Sequence, residues 1–386
     1  MNPLADGIHT MIDRDAMTPS ARKLRDTYAI TPEISFLKRE FGFYSLEVWA
    51  EQGMPQDVSY PELFDLEPPG SHSLGQLGWC EAGLCPVFDT TVLEDRGEYE
   101  LVQDFAGRHV LFFRGRRNGF MPEYVDHPVK DMRSFEEKIG WRMDPNSPER
   151  YVDLDERMAA AKEAAGQGLM ITQNLVGGYM YLRSLLGPEE LLYAFYDMPD
   201  VVHACMRAWF ELADAVIARH QEHVTLDEFF LAEDICYKGG ALISPPMMKR
   251  FLLPYYQQLI TNTKARQMDK TRHLYIQVDT DGFSDHVIPL YREAIGLDAL
   301  SPFEVAAGCD VVRTAQEYPD LAIFGGIDKR VLAQGRDAID AMLERIIPVM
   351  RERGGYIPTC DHGVPEEVPY VDYLYYRRRV VELGSR

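Results

Sequence analysis

The sequence predicts an α/β fold, a (β/α)8 barrel carrying an N-terminal helical and β-hairpin extension. Three observations predict it. From about residue 151, short apolar runs alternate with amphipathic helical stretches, the pattern of parallel strands joined by crossover helices. Six such strand–helix units follow one another, close to the number a barrel needs. No run is followed by a G-x-G-x-x-G or G-x-x-x-x-G-K loop, which disfavours a doubly wound open sheet built around a phosphate site.

The elements follow in order. Residues 1–60 read as helical and polar, with RKLRDTYAITPEISFLKREFGFYSLEVWAEQGMP broken at Pro32 and Pro55. Next, PVFDTTVLEDRGEYELVQDFAGRHVLFFRGRRNGF alternates apolar and polar residues, with turn signals at Asp95-Arg96-Gly97 and Ala106-Gly107. That pattern predicts an antiparallel meander. PVKDMRSFEEKIGWRMDPNSPERY returns to helix and loop. Residues 1–150 are therefore expected to pack as an extension on the main part of the barrel, residues 151–386, in one structural unit. The six strands are expected in GLMITQNLVGG, LDEFFLAEDI, RHLYIQVDTDG, DALSPFEV, LAIFGGIDKR and GGYIPTCDHGVP, each with a helical stretch behind it.

Charge narrows the partners. The 386 residues hold 40 Lys and Arg against 61 Asp and Glu, a formal net charge of −21. Such a surface argues against nucleic acid or an anionic membrane as partner. No apolar run reaches the roughly 18 residues that span a bilayer. Met1 to Arg14 mixes His, Asp and Arg with few apolar residues, so it does not read as a signal peptide, and a cytoplasmic location is expected. Cys80, Cys85, Cys205, Cys236, Cys309 and Cys360 are too sparse for a disulfide scaffold and read as buried thiols or metal ligands.

Barrel chemistry sits at the C-terminal ends of the strands. Those positions carry Gln173 and Asn174, then Glu233, Asp234 and Cys236, then Asp279 and Asp281, then Glu304, Cys309 and Asp310, then Asp328 and Lys329, then Cys360, Asp361 and His362. Acids, thiols and one imidazole converge there, with Lys329 and Lys238 the main cations. Any one Asp at a strand end can simply cap the next helix. The sharper reading is a zinc site of carboxylate and thiolates at Asp281, Cys309 and Cys360. His362 could stand in for one ligand or act as acid or base, and either thiol could be a packing residue. Glu233 joins His362 as an acid–base candidate, and Asn174, Asp234 and Asp279 are candidate substrate contacts. Cys80 and Cys85 (WCEAGLC) lack a second pair for a structural zinc, and Cys205 reads as core. His220 and His223 read as solvated helix-end residues near the C-terminal dipole. Arg114, Arg116 and Arg117 (FRGRRNGF) read as a solvated loop. Neither a G-x-S-x-G elbow nor an H-E-x-x-H helix occurs.

The segments REFGFYSLEVWAEQGMP, EDICYKGGALISPPMMKRFLLPYYQQL, VDTDGF, PFEVAAGCD, GGIDKRVLA and GGYIPTCDHGVPEEVPYVDYLYYRR resemble the uroporphyrinogen decarboxylase superfamily over most of residues 30–380. The resemblance implies a (β/α)8 barrel. It implies either decarboxylation or zinc-dependent methyl exchange with a corrinoid protein. The decarboxylase motif R-Q-A-G-R, which holds substrate carboxylates, is absent. Where thiol-activating methyltransferases carry H-x-C-G, this chain has Asp279-Thr280-Asp281-Gly282, while Cys360 matches their last Cys. The sequence is most similar to corrinoid-dependent aryl O-demethylases, some of which resemble an Asp…Cys…Cys zinc set with 27 residues between the first two. Here 309 − 281 = 28, which leaves the same 27, although the Cys309–Cys360 interval is longer. The function so implied is transfer of a methyl group from a small methylated donor, a methoxylated aromatic, to a corrinoid protein, with zinc as Lewis acid. A decarboxylase of a polycarboxylate and a non-catalytic corrinoid- or substrate-binding protein are the alternatives. By analogy the protein would be a homodimer.

Overall fold

In the computed structural model, residues 14–78, 83–115 and 122–384 are described. They form thirteen strands: β1 (Ser71–Leu74), β2 (Thr91–Arg96), β3 (Tyr99–Gln103), β4 (His109–Phe113), β5 (Glu123–Asp126), β6 (Met170–Val176), β7 (Glu228–Ala232), β8 (Cys236–Tyr237), β9 (Gly240–Ala241), β10 (Tyr275–Asp279), β11 (Ala299–Ser301), β12 (Ala322–Phe324) and β13 (Tyr356–Ile357). Each of the six apolar runs becomes a strand of one parallel sheet, in the order β1-β6-β7-β10-β11-β12-β13. Buried on both faces, these strands carry near-continuous apolar residues.

The α/β fold is as expected, and among the described residues the curled parallel sheet has seven of the eight strands that a (β/α)8 barrel holds. Beyond the named strands, Ile327 bridges Cys360, continuing the β12–β13 pairing, and Phe43 of the N-terminal segment bridges Val364. One strand of the sheet comes from the first 150 residues, since β1 pairs in parallel with β6 from Ser71↔Met170 to Leu74↔Gln173. β1 is short and polar (SHSL), and it gave no apolar run to read.

The meander is formed as expected, with β2, β3, β4 and β5 antiparallel in sequence order. Residues 1–60 are less helical than they read. Helices cover Pro19–Tyr28, Leu46–Glu51 and Tyr60–Leu63, while residues 31–44 run without helix. The first of these begins where Thr18 accepts the Ala21 N–H and Pro19 fills the first turn. It closes the floor of the curled sheet. Tyr28 stacks on Tyr275 at 4.4 Å and packs edge-on to Phe324. Its hydroxyl bonds Glu228, which also accepts from Thr172 Oγ1 at 2.6 Å. Register then fixes what lies above. Asn174, Phe230 and Gln277 share one level of the inner face, and Ala232, Asp279 and Ser301 the next.

The outer helices pack their apolar stripes on the sheet. Pro199–Gln221 buries Val202, Cys205, Met206, Trp209 and Val216, and the Trp209 indole donates to Val176 O at 2.8 Å. Cys205 is core, as expected. His220 is not a solvated helix-end residue. It is buried, with Nδ1 2.7 Å from Gln173 Oε1 and Nε2 2.7 Å from Gln76 Oε1, and burial pushes its pKa down to about 4. The helix ends under the edge of β6 rather than in water. His223 is partly exposed beside Lys162. Arg114 lies on the exposed hairpin, paired with Asp95, while Cys80, Arg116 and Arg117 fall outside the described residues. No helix among the described residues is long and apolar enough to cross a membrane.

Candidate functional site at the mouth of the sheet

The C-terminal ends of β7, β10 and β11 and the loop after β13 bring one cluster together. Asp281 Oδ2 lies 3.7 Å from His362 Nε2. The Asp281 N–H points at Asp234 Oδ1 at 3.4 Å, and the Gly282 N–H donates to Glu304 Oε2 at 2.9 Å. Asp234 pairs with Arg183 Nη2 at 2.7 Å. Lys329 Nζ lies 3.3 Å from Asp361 and 3.9 Å from Glu304.

Local backbone chemistry sets these positions. Asp234 has φ +48°, a left-handed conformation that Asp tolerates better than most residues. It turns the chain sharply out of β7, with both the Glu233 and Asp234 N–H groups aimed at Asp279 O. Gly282 has φ +79°, and a Cβ there would sit 2.6 Å from the Tyr237 nitrogen. Only glycine lets the loop after β10 press against the β8–β9 hairpin.

His362 is held from outside the sheet by the N-terminal segment. Its ring lies 4.8 Å from Phe41 and 5.9 Å from Tyr44, and the Tyr44 hydroxyl is 3.5 Å from Nδ1. Gly363 leaves room for that tyrosine, since a Cβ would meet its ring at 2.6 Å. Glu40 ties the segment down by accepting the Cys360 N–H at 2.7 Å and the Tyr373 hydroxyl at 3.1 Å.

Electrostatics favour neutral acids. Burial, with Asp234 and Glu304 beside it, pushes Asp281 up to about 8. Burial raises Asp279 to about 6 against its bond from Ser301. Burial and Lys329 lower the His362 imidazole below its ordinary value.

The zinc set does not assemble. Among the described residues no three His, Cys, Asp or Glu side chains are grouped to hold a metal ion. Cys309 is 3% exposed, with its thiol donating to Gly282 O at 3.4 Å and lying 3.7 Å from Ser284 Oγ. Cys360 is fully buried near Glu40, Tyr373, Tyr376 and Arg377. Asp281 alone of the three reaches the mouth. The thiols face packed interior, and these residues do not fit a shared zinc. Cys309→Ala and Cys360→Ala are therefore expected to keep the zinc content of the unaltered protein. Metal analysis checks this, and loss of a stoichiometric zinc from either would overturn it.

The acid–base pair divides as well. His362 sits at the mouth, but Glu233 is fully buried. The Tyr256 hydroxyl lies 2.7 and 2.8 Å from its two carboxyl oxygens and accepts the Gly178 N–H at 2.7 Å. Burial pushes Glu233 up to about 8. Through Tyr256 it braces the end of β7 against the helix Gly178–Leu186, away from the cluster at the mouth.

The raised value has a definite sign. The unfolded chain releases this proton near the ordinary Glu value of about 4.3, whereas the folded chain keeps it to about 8. Stability contributed by Glu233 is present below pH ~4.3 and is lost as pH rises through 8. Glu233→Gln is expected to remove that loss, read as a smaller fall in melting temperature from pH 5 to 8.5. Gly177→Ala would drive a methyl group to 1.8 Å from Glu233 Oε2. A loss of about 1–3 kcal/mol is expected by denaturant unfolding.

Of the candidate substrate contacts, Asp234 and Asp279 lie in the cluster, and Asn174 lies on the inner face of β6, one level below Asp279. Glu304 is one of the strand-end acids, whereas Phe41, Tyr44 and Arg183 were not among the candidates. The aromatic run REFGFY was the only sequence signal for Phe41 and Tyr44, and nothing local tied it to residue 362.

Comparison with known proteins defines the class. The model of the family "Uroporphyrinogen decarboxylase (URO-D)" matches residues 124–376, about two thirds of the chain. The protein belongs to the uroporphyrinogen decarboxylase family. Among solved structures, a methyltransferase from Methanosarcina mazei is similar at TM-score 0.58 and 14% identity, over 94% of this chain and 98% of that one. That likeness is one of fold. A candidate vitamin-B12-independent methionine synthase from Listeria monocytogenes follows at TM-score 0.34 and 15% identity, over 60% of this chain and 68% of that one. Among curated proteins none matches.

Proposed function

We propose that this protein is a methyltransferase that moves a methyl group from a small methylated donor, bound at the sheet mouth, to a corrinoid carried by a partner protein. The observation that carries the reading is the Asp281–His362 pair, set at the strand ends of a fold that is also a methyltransferase's, where a donor and a docking partner could meet. Family membership supports it. A reduced corrinoid supplies a nucleophilic metal that takes the methyl carbon.

The chain's own residues must then manage the leaving group. For a methoxylated aromatic, the donor the resemblance implies, the C–O bond breaks and its electron pair stays on oxygen, which must gain a proton or a counter-charge. Asp281, protonated until about pH 8 and 3.7 Å from His362, is placed to give that proton. His362 holds the carboxyl in position. Asp234 and Asp279 contact the donor, with Asn174 below them. No metal is assigned at Asp281, Cys309 and Cys360, because those side chains do not meet.

The test mixes the purified protein, a cobalt(I) corrinoid protein and a panel of methylated donors, and follows methylcobalt absorbance. Methyl transfer from at least one donor is the expected result. Failure across a panel of ethers, amines and thioethers, while a porphyrinogen is decarboxylated, would replace this reading with the decarboxylase one.

A further inference from the structure

We propose that the cavity between the first helix and the end of the C-terminal helix is a binding site for a small organic carboxylate, an acid group on a short apolar body. None of the residues that line it belongs to the cluster around Asp281. The site therefore stands independently of the methyltransferase reading.

The cavity has a volume of about 160 Å³. Space of that size holds a molecule of roughly one benzene ring. Segments far apart in sequence build its walls. Lys23 comes from the helix Pro19–Tyr28, Phe36 and Lys38 from the stretch without helix, and Arg377 and Val380 from the helix Tyr370–Gly384, with Pro358 just past β13. Phe36 packs edge-on to Tyr356 at 5.7 Å. Gly384 leaves room for the Phe36 ring, since a Cβ would meet it at 2.9 Å.

Charge points to the ligand. Lys23, Lys38 and Arg377 line the cavity and no acidic side chain does, in a chain whose formal net charge is −21. Two of the three are already neutralised, Lys23 by Glu67 at 2.6 Å and Lys38 by Asp65 at 2.6 Å. Arg377 is not. It is only 6% exposed, yet it makes no ion pair among the described residues. Its Nε and Nη1 donate to main-chain carbonyls, Phe64 O at 3.4 Å and Arg39 O at 3.1 Å. Nη2 has no hydrogen-bond partner among the described residues, and it is not one of the polar atoms sealed in packing. It therefore faces open space, and the cavity is the open space that Arg377 lines.

Glu40 acts on this guanidinium only from beyond ion-pair distance, and its oxygens already accept the Cys360 N–H and the Tyr373 hydroxyl. Holding a guanidinium out of water without a close counter-ion is costly. A carboxylate matches its planar fork and would supply the missing charge. A bare inorganic anion is a poorer match, because Phe36, Pro358 and Val380 offer hydrocarbon to whatever else fills the space.

Calorimetry on the intact chain with benzoate, its uncharged counterpart benzyl alcohol and inorganic phosphate tests the proposal. Benzoate is expected to bind at least about tenfold more tightly than either. Arg377→Gln is expected to weaken benzoate about tenfold and leave benzyl alcohol unchanged. Val381 also lines the cavity and is 38% exposed, so Val381→Trp is expected to fill the space from its rim and abolish benzoate binding. Unfolding curves check that the variants fold, and Val381→Trp decides if Arg377→Gln does not. Absence of benzoate binding, equal affinity for benzoate and benzyl alcohol, or phosphate binding as tight as benzoate each overturns the proposal. So does benzoate binding that the folded variants leave unchanged, which would put it elsewhere on the chain, such as at Arg183 or Lys329 of the mouth.

Discussion

Asp281→Asn is expected to lower kcat/KM for methyl transfer by about 10²–10³-fold, within the range that a positioned acid contributes. Asn keeps the shape of the side chain but neither donates an acidic proton nor carries charge. Asp281 occupies the middle of the cluster, beside His362, Asp234 and Glu304. Its raised value, about 8, makes the pH profile informative. With an ether as donor, the protonated carboxyl is the active form, so the rate falls as pH rises through 8. The Asn variant should lose this dependence. A variant with unchanged kcat/KM would remove Asp281 from the site altogether.

Trp49→Ala is expected to destabilise the protein by about 3–5 kcal/mol, the range for deleting a large buried aromatic. Trp49 is fully buried. Its ring lies 4.7 Å from Tyr373, 5.5 Å from Phe64 and 5.7 Å from Phe43, and its indole N–H donates to Val368 O at 2.7 Å. Alanine would open a cavity and orphan that carbonyl. The residue also joins the N-terminal segment to the C-terminal helix Tyr370–Gly384, and so steadies the stretch that lays Phe41 and Tyr44 on His362. Denaturant unfolding checks the loss, with Trp49→Phe expected to cost less. A change under about 1 kcal/mol would contradict this packing.

Much of the fold was legible because parallel strands buried on both faces need continuous apolar runs, and all six such runs are strands. β1 escaped because its four residues are Ser, His, Ser and Leu. The meander was legible because one face is half-solvated and alternation survives. The mouth was partly legible. Strand ends located Asp234, Asp279, Asp281 and His362 from spacing alone. The metal set failed on orientation, which spacing does not carry. Cys309 and Cys360 do follow strands, as read, but their thiols point into packing. Glu233 failed for the same reason, turned outward from the sheet to Tyr256.

By itself the sequence determined which segments become strands and which acids lie at their ends, since periodicity and strand polarity are local properties of the chain. Tertiary structure alone decided which side chains face the mouth, that residues 40–44 cover His362 across more than 300 positions, and that the thiols are sealed away. Those outcomes depend on packing between segments distant in sequence, and burial, not residue type, sets the charge each acid carries.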